Sequence, residues 1–88
     1  MLHRQKPILF SQHAHIQMRE RGATEEEVVE TIRTGEEVPA KRGRRGYRRN
    51  FQYDRLWGGR HYLTKQVLVI VAEEAERLVV VTVYTFYF

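Results

Sequence analysis

The chain has 88 residues, a length that supports one hydrophobic core, so we expect a single domain over residues 1–88. Its 42% hydrophobic and 30% charged residues exclude a disordered chain, and the absence of cysteine excludes disulfides, thiolate metal sites and a cysteine nucleophile. The net charge of +4 favours a polyanionic partner. The longest apolar run, residues 67–72, is too short to span a membrane, and the N-terminus lacks a signal-peptide core, so we expect a cytoplasmic protein with no membrane partner.

The N-terminal part of the sequence predicts a short edge strand followed by a helix. Residues 8–10 form an apolar run, and Ser11 is a typical helix N-cap residue. The helix should cover Gln12–Arg21 and end at Gly22, because glycine adopts the left-handed conformation without steric cost.

A second helix follows directly. Thr24 and the acidic residues after it form a capping box, and the helix should run to about Thr34. Gly35 should end it in the same way as Gly22 ends the first helix. Residues 36–46 contain proline, glycines and cations without apolar periodicity, which indicates a loop or a weak edge strand.

The rest of the chain predicts strands joined by short turns. Residues 47–53 alternate as a half-buried strand, Gly58 and Gly59 mark a turn, and two β-rich segments follow up to the C-terminus. We expect both of these last strands to be central. The fold class is therefore α+β, with two N-terminal helices packed on one face of a mostly antiparallel, three- to five-stranded sheet.

Strict alternation in the last strand would place Leu78 and Val80 on the same face as Thr82 and Tyr84. Two hydroxyl groups on one sheet face can bind a phosphate, and tyrosine can stack on a base. Thr and Tyr also occur in strands simply because they pack well there, so the packing interpretation stays open.

Residues 41–60 contain eight cations and one acid, and aromatic residues lie between them. This texture is typical of a surface that binds single-stranded nucleic acid, although a solvated basic loop has the same composition. Arg48 and Arg49 alternate along their strand, so only one of them can face a given site. The candidate nucleic-acid-binding residues are Arg44, Arg45, Arg48, Arg49, Arg60 and Thr82.

The first helix carries His13, Gln17 and Arg21 in one row beside its apolar seam. His13 can transfer a proton or bind a phosphate, or it can be a partly buried residue that anchors the helix to a backbone carbonyl group. His61, close to the glycine turn, is a second acid–base candidate or an ordinary loop histidine. The spacing of the four histidines predicts no metal site, and no motif for a cofactor is present.

The segment SQHAHIQMRERGATEEEVVETIRTGE, with LVVVTVY near the end, resembles the family called domain of unknown function 4258. The matching positions are His13, Ala14, Met18, Arg21, Gly22 and the Thr82-Val83-Tyr84 ending. Gln17 departs from the family pattern, because many members carry arginine there. The family is similar in element order to RelE-like and BrnT-like toxins, which are small ribonucleases of toxin–antitoxin systems.

The resemblance implies a RelE-like fold and metal-independent cleavage of RNA, with an antitoxin-like protein as a partner. Catalysis would then use His13 or His61, Tyr84, and Arg21 together with Arg48 or Arg49. The alternative is a non-catalytic module that binds nucleic acid or a protein through residues 41–60. The aromatic C-terminal strand also suggests a homodimer formed edge to edge.

Overall fold

The computed structural model describes residues 3–88 and contains two helices packed on one face of a five-stranded sheet. In chain order the elements are a short 3-10 helix His3–Gln5, β1 Ile8–Phe10, α1 Gln12–Arg21, α2 Glu25–Thr34, β2 Glu36–Val38, β3 Arg45–Trp57, β4 Arg60–Glu73 and β5 Leu78–Tyr87. The strand order is β1-β5-β4-β3-β2, and only the β1–β5 pair is parallel among these neighbours. The predicted α+β class is confirmed. No helix within residues 3–88 has the length and apolarity needed to cross a membrane.

Helix capping follows the sequence prediction at three of the four helix ends. Ser11 and Thr24 accept backbone N–H groups as N-caps, and Gly22 ends α1 in the left-handed conformation with φ 79°. The prediction of a left-handed stop at Gly35 is wrong, because its φ is −75°. Glycine is needed there for another reason: a Cβ atom would lie 2.7 Å from the carbonyl oxygen of Arg48, where the end of α2 approaches β3.

The core lies between the helices and one face of the sheet. Its fully buried side chains come from both helices and from β3, β4 and β5: Ala14, Val28, Ile32, Tyr47, Val67, Val69, Val71, Leu78, Val80 and Val83. Lys65 is also buried, at 2% exposure, and its Nζ atom donates to the carbonyl oxygen of Gly22 and pairs with Glu27 at 2.8 Å. Lys65 therefore ties β4 to the junction of the two helices.

No helix of residues 3–88 packs on the opposite face of the sheet, and we call it the open face. Strand alternation and register place these side chains on it: Arg48, Asn50 and Gln52 of β3; Gln66, Leu68 and Ile70 of β4; and Thr82, Tyr84, Phe86 and Phe88 at the C-terminus. The open face is therefore polar and cationic toward β3 and aromatic along β5.

The facing of β5 differs from strict alternation. A register shift between β4 and β5 leaves Val81 without a partner in β4. Leu78 and Val80 therefore point toward the helices, and the prediction that they share a face with Thr82 is wrong. Thr82 and Tyr84 do point the same way, onto the open face.

The last strand is central only at its start. β1 pairs with β5 through Leu78, Val79 and Val80 and then ends. In the described part of the chain, the rest of β5 has no strand on its outer side. The prediction of a second central strand thus holds for three residues. The remaining edge lies beside α1, which supplies the side chains described next.

Candidate nucleic-acid interface

Two side chains of α1 occupy the free backbone edge of β5. The Val83 N–H donates to Gln17 Oε1 at 2.8 Å, and the Val83 carbonyl oxygen accepts from Arg21 Nη1 at 2.6 Å. Gln17 is 7% exposed, so this contact is buried. An edge-to-edge dimer through β5 would have to displace both hydrogen bonds, because a strand edge pairs through these same groups.

Gln17 also determines which nitrogen of the His13 ring accepts a hydrogen bond. Because the Oε1 atom of Gln17 accepts from Val83, its amide nitrogen faces the His13 Nε2 atom, at 2.9 Å. An amide nitrogen can only donate, so Nε2 is the acceptor and the proton of the neutral imidazole lies on Nδ1. His13 is exposed at the edge of the sheet, two hydrogen bonds away from the backbone of β5.

Arg21 reaches around this edge to the open face. Its Cζ atom lies 5.1 Å from the centroid of the Tyr84 ring, which is 40% exposed. The carbonyl oxygen of Arg21 accepts hydrogen bonds from Thr85 Oγ1 and from the Tyr87 hydroxyl group, at 2.8 and 2.7 Å. These contacts fix the end of α1 to β5 and so fix the guanidinium group beside Tyr84.

Tyr84 also lines a groove that the loop of residues 39–44 forms over the open face. The groove has a volume of about 350 Å³ and is lined by Pro39, Ala40, Lys41, Arg42, Arg44, Ile70, Thr82 and Tyr84. Within residues 3–88, Lys41, Arg42 and Arg44 form no ion pair with a carboxylate. We call these three residues the loop cations.

Sequence reasoning placed Arg44 and Thr82 in the site and missed Lys41 and Arg42. Both belonged to the basic segment, but sequence could not show that this loop lies beside Thr82 and Tyr84 in the middle of β5. Arg42 has a φ of 61° and precedes Gly43 with a φ of 70°, so a left-handed turn directs the loop across the sheet.

Three other predicted arginines of the basic segment, Arg45, Arg48 and Arg49, pair with acidic residues. Arg49 faces α2 and pairs with Glu30 at 2.7 Å, whereas Arg48 lies on the open face and pairs with Glu36. Arg45 pairs with Glu73 at 2.7 Å and with Glu37 at 2.9 Å.

Glu73 holds a second cation as well. Lys6 Nζ lies 2.8 Å from its carboxylate. Hydrogen bonds from Lys6 and then Arg45 lower the pKa of Glu73 to about 2. This carboxylate is thus the centre of a structural ion-pair network at the strand ends, outside the groove.

His61 and Arg60 lie at the far end of the β3–β4 hairpin. His61 Nε2 is 2.7 Å from Asp54 Oδ1, and Arg60 lies over the Tyr62 ring. Along β4, His61 is seven residues from Leu68, the partner of Tyr84, which is about 23 Å. The structure therefore brings together Arg21, Tyr84, Thr82 and Arg44. It links His13 to the neighbouring edge of β5 through Gln17, and it leaves His61 and Arg60 apart. Residues 3–88 contain no group of three or more His, Cys, Asp or Glu side chains arranged to hold a metal ion.

Comparison with known proteins gives one match. The family model described as domain of unknown function (DUF4258) matches residues 10–85, a range that includes α1, the loop cations and Tyr84. A search of curated proteins and a search of solved structures both give no match.

Proposed function

The chain belongs to the DUF4258 family, and we propose that it is a ribonuclease that binds RNA on the open face and cleaves it at the edge of β5 without a metal ion. One observation carries this proposal: Tyr84 contacts the guanidinium group of Arg21 and also lines the groove of the loop cations. A phosphodiester beside Tyr84 would therefore lie close to cations from α1 and from the loop. Arginine suits this role because it is always charged and can bind a phosphate through two N–H groups.

Binding would rest on the loop cations and Thr82. A cation without a carboxylate partner contributes most to the free energy of phosphate binding, because no existing ion pair has to be broken first. Arg48 can contribute after it exchanges Glu36 for a phosphate, since this pair is exposed to solvent. The Thr82 hydroxyl group can donate to a phosphate oxygen from the floor of the groove.

Cleavage would use the 2′-hydroxyl group of the RNA as the nucleophile. The neutral His13 ring carries a lone pair on Nε2, and the 2′-hydroxyl would replace the Gln17 amide as the donor to that atom. His13 takes the proton, O2′ bonds to phosphorus, and the bond from phosphorus to O5′ breaks. Tyr84 donates its hydroxyl proton to O5′, and Arg21 stabilises the charge on the phosphorane. The products are a 2′,3′-cyclic phosphate and a 5′-hydroxyl end.

This activity corresponds to a cytoplasmic toxin with a RelE-like arrangement, inhibited by an antitoxin-like protein. The open face would then be the target of such a partner, because covering it blocks RNA. A second candidate is a non-catalytic RNA-binding module, and the His13–Gln17 contact favours it, since that hydrogen bond also suits a purely structural histidine.

The test is a cleavage and binding assay on single-stranded RNA with a chelator present. His13→Ala should lower the cleavage rate by about 100-fold or more, the typical contribution of a general base, while RNA affinity stays within twofold, about the scatter of such measurements. The matched control is His15→Ala, which changes the other exposed histidine of α1 and should leave cleavage unchanged. Equal rates for both variants would remove His13 from catalysis and support the binding module.

Affinity is tested with a second pair of variants. Lys41→Ala/Arg44→Ala should weaken RNA binding and reduce the slope of log affinity against log salt by about two. Arg55→Ala/Arg60→Ala removes the same charge from the hairpin end and should have a smaller effect. The reverse order would move the interface to the hairpin.

A further inference from the structure

Three aromatic side chains form a row on the open face of β5. Tyr84, Phe86 and Phe88 occupy alternate positions and are 40%, 46% and 58% exposed. The row is held firmly to its end, because Phe88 donates to the Thr64 carbonyl oxygen at 3.0 Å and accepts from the Thr64 N–H at 2.8 Å. Phe86 and Phe88 lie beyond the range that the family model matches.

The distance between neighbouring residues of this row equals the distance needed to place one base between their rings. Alternate residues of a strand are about 6.6–6.8 Å apart, and their side chains stand roughly perpendicular to the sheet. Stacked bases repeat at about 3.4 Å, so a base between two aromatic rings needs about 6.8 Å from ring to ring. On the basis of the proposed function, we propose that the row binds unpaired RNA bases, one between Tyr84 and Phe86 and one between Phe86 and Phe88.

The surroundings of the row identify the occupant as RNA. Tyr84 is shared with the groove of the loop cations, so a strand whose phosphates enter the groove continues onto Phe86. Beside Phe86 lie Gln66 and Asn50, which share a hydrogen bond at 2.8 Å and offer amide groups to the edge of a base. A second copy of this chain would bring its own loop cations against the first set, which opposes self-association through this face.

The substrate must be single-stranded, because the bases of a duplex are already stacked and cannot enter the two slots. The test uses a short RNA with 2′-O-methyl groups, which prevent cleavage by attack of O2′. Its dissociation constant is compared with that of the same strand carrying abasic positions and that of the strand annealed to its complement.

Wild-type protein should bind the single strand at least about 5-fold more tightly than the abasic strand, the lower end of the stacking contribution. Phe86→Leu and Phe88→Leu should each weaken binding of the intact strand by a similar factor and leave binding of the abasic strand unchanged. The matched control is Leu56→Ala, an exposed apolar side chain at the hairpin end, which should have no effect. Thermal unfolding of each variant verifies its fold.

Three results would overturn this inference. Equal affinity for the intact and abasic strands, with binding that still depends on the loop cations, would refute the base slots and leave the RNA interface standing. No binding of any RNA would refute the proposed function and the slots together. A concentration-dependent dimer that Phe86→Leu dissociates, without an effect on RNA, would make the row a self-association surface.

Discussion

Gln17 shows how one side chain can organise a site. It accepts from the backbone of β5 through Oε1 and faces His13 with its amide nitrogen. Arginine has no acceptor atom and could not satisfy the Val83 N–H in this way. The family pattern, with arginine at this position in many members, suggested that Gln17 only removes a cation. In the structure, Gln17 binds both the backbone of β5 and the His13 ring.

Arg42 is a residue at which the backbone and the proposed function conflict. A non-glycine residue at a φ of 61° is disfavoured by contact between its Cβ atom and the backbone. Arg42→Gly should therefore raise the free energy of unfolding by about 0.5–1 kcal/mol after the greater entropy of the unfolded glycine chain is subtracted. The same change should weaken RNA binding, because it removes one loop cation.

Urea unfolding and RNA titration measure these two effects. Arg44→Gly is the matched control: it removes a cation from the same loop at a position without positive φ, so it should lower both stability and affinity. If Arg42→Gly lowered the free energy of unfolding as much as Arg44→Gly does, the positive φ of Arg42 would not destabilise the fold.

Among the secondary-structure elements, a network of ion pairs connects the ends of several strands. Glu73 at the end of β4 binds Lys6, which precedes β1, and Arg45 at the start of β3. Arg45 continues to Glu37 of β2. Glu37 precedes the loop of residues 39–44 and Arg45 follows it, so this network holds the two ends of the loop together.

The network makes stability depend on pH in a defined range. The pKa of Glu73 is lowered from 4.5 to about 2 in the folded protein, so its contribution is complete above pH 4.5 and is lost as pH falls toward 2. Wild-type protein should be more stable than Glu73→Gln at pH 7, and the difference should shrink steadily between pH 4.5 and 2. Thermal unfolding of both proteins over this range measures it. A difference that is constant with pH would show that the charge of Glu73 does not stabilise the fold.

The helices could be predicted from sequence because their signals are local. Ser11, Thr24 and Gly22 act through neighbouring backbone groups, and all three were predicted correctly. The facing of β5 could not be predicted, because the register shift at Val81 depends on pairing with β4. The buried position of Lys65 was missed for the same reason: its partners are Gly22 and Glu27, which are about forty residues earlier in the chain.

At the scale of the molecule, the two faces of the sheet differ in how their cations are balanced. The glutamates of α2 pair with Arg49 and Lys65 on the helix side. The loop cations lie over the open face without such partners within residues 3–88. The sequence showed a cation-rich segment over residues 41–60, but it could not show which of its arginines would pair with acidic residues.

Sequence predicted the parts of the candidate site whose residues share one helix or strand. It could not predict which residues of different elements lie close together in the fold. His13 and Arg21 share a row of α1, and Tyr84 and Thr82 share a face of β5. His61 was an equal candidate by residue type, but the length of the β3–β4 hairpin places it far from Tyr84. Only the three-dimensional fold shows that His13 lies nearer to the candidate site than His61 does.

We propose that RNA is cleaved by attack of its own 2′-hydroxyl group at the edge of β5. The most direct measurement is the mass of the products after single-stranded RNA is incubated with the protein and a chelator. Cleavage by this route should give fragments with 2′,3′-cyclic phosphate and 5′-hydroxyl ends. These fragments should be absent when the RNA is 2′-O-methylated and strongly reduced with His13→Ala. Fragments ending in 3′-hydroxyl and 5′-phosphate groups, or no fragments above the level of His13→Ala, would contradict it.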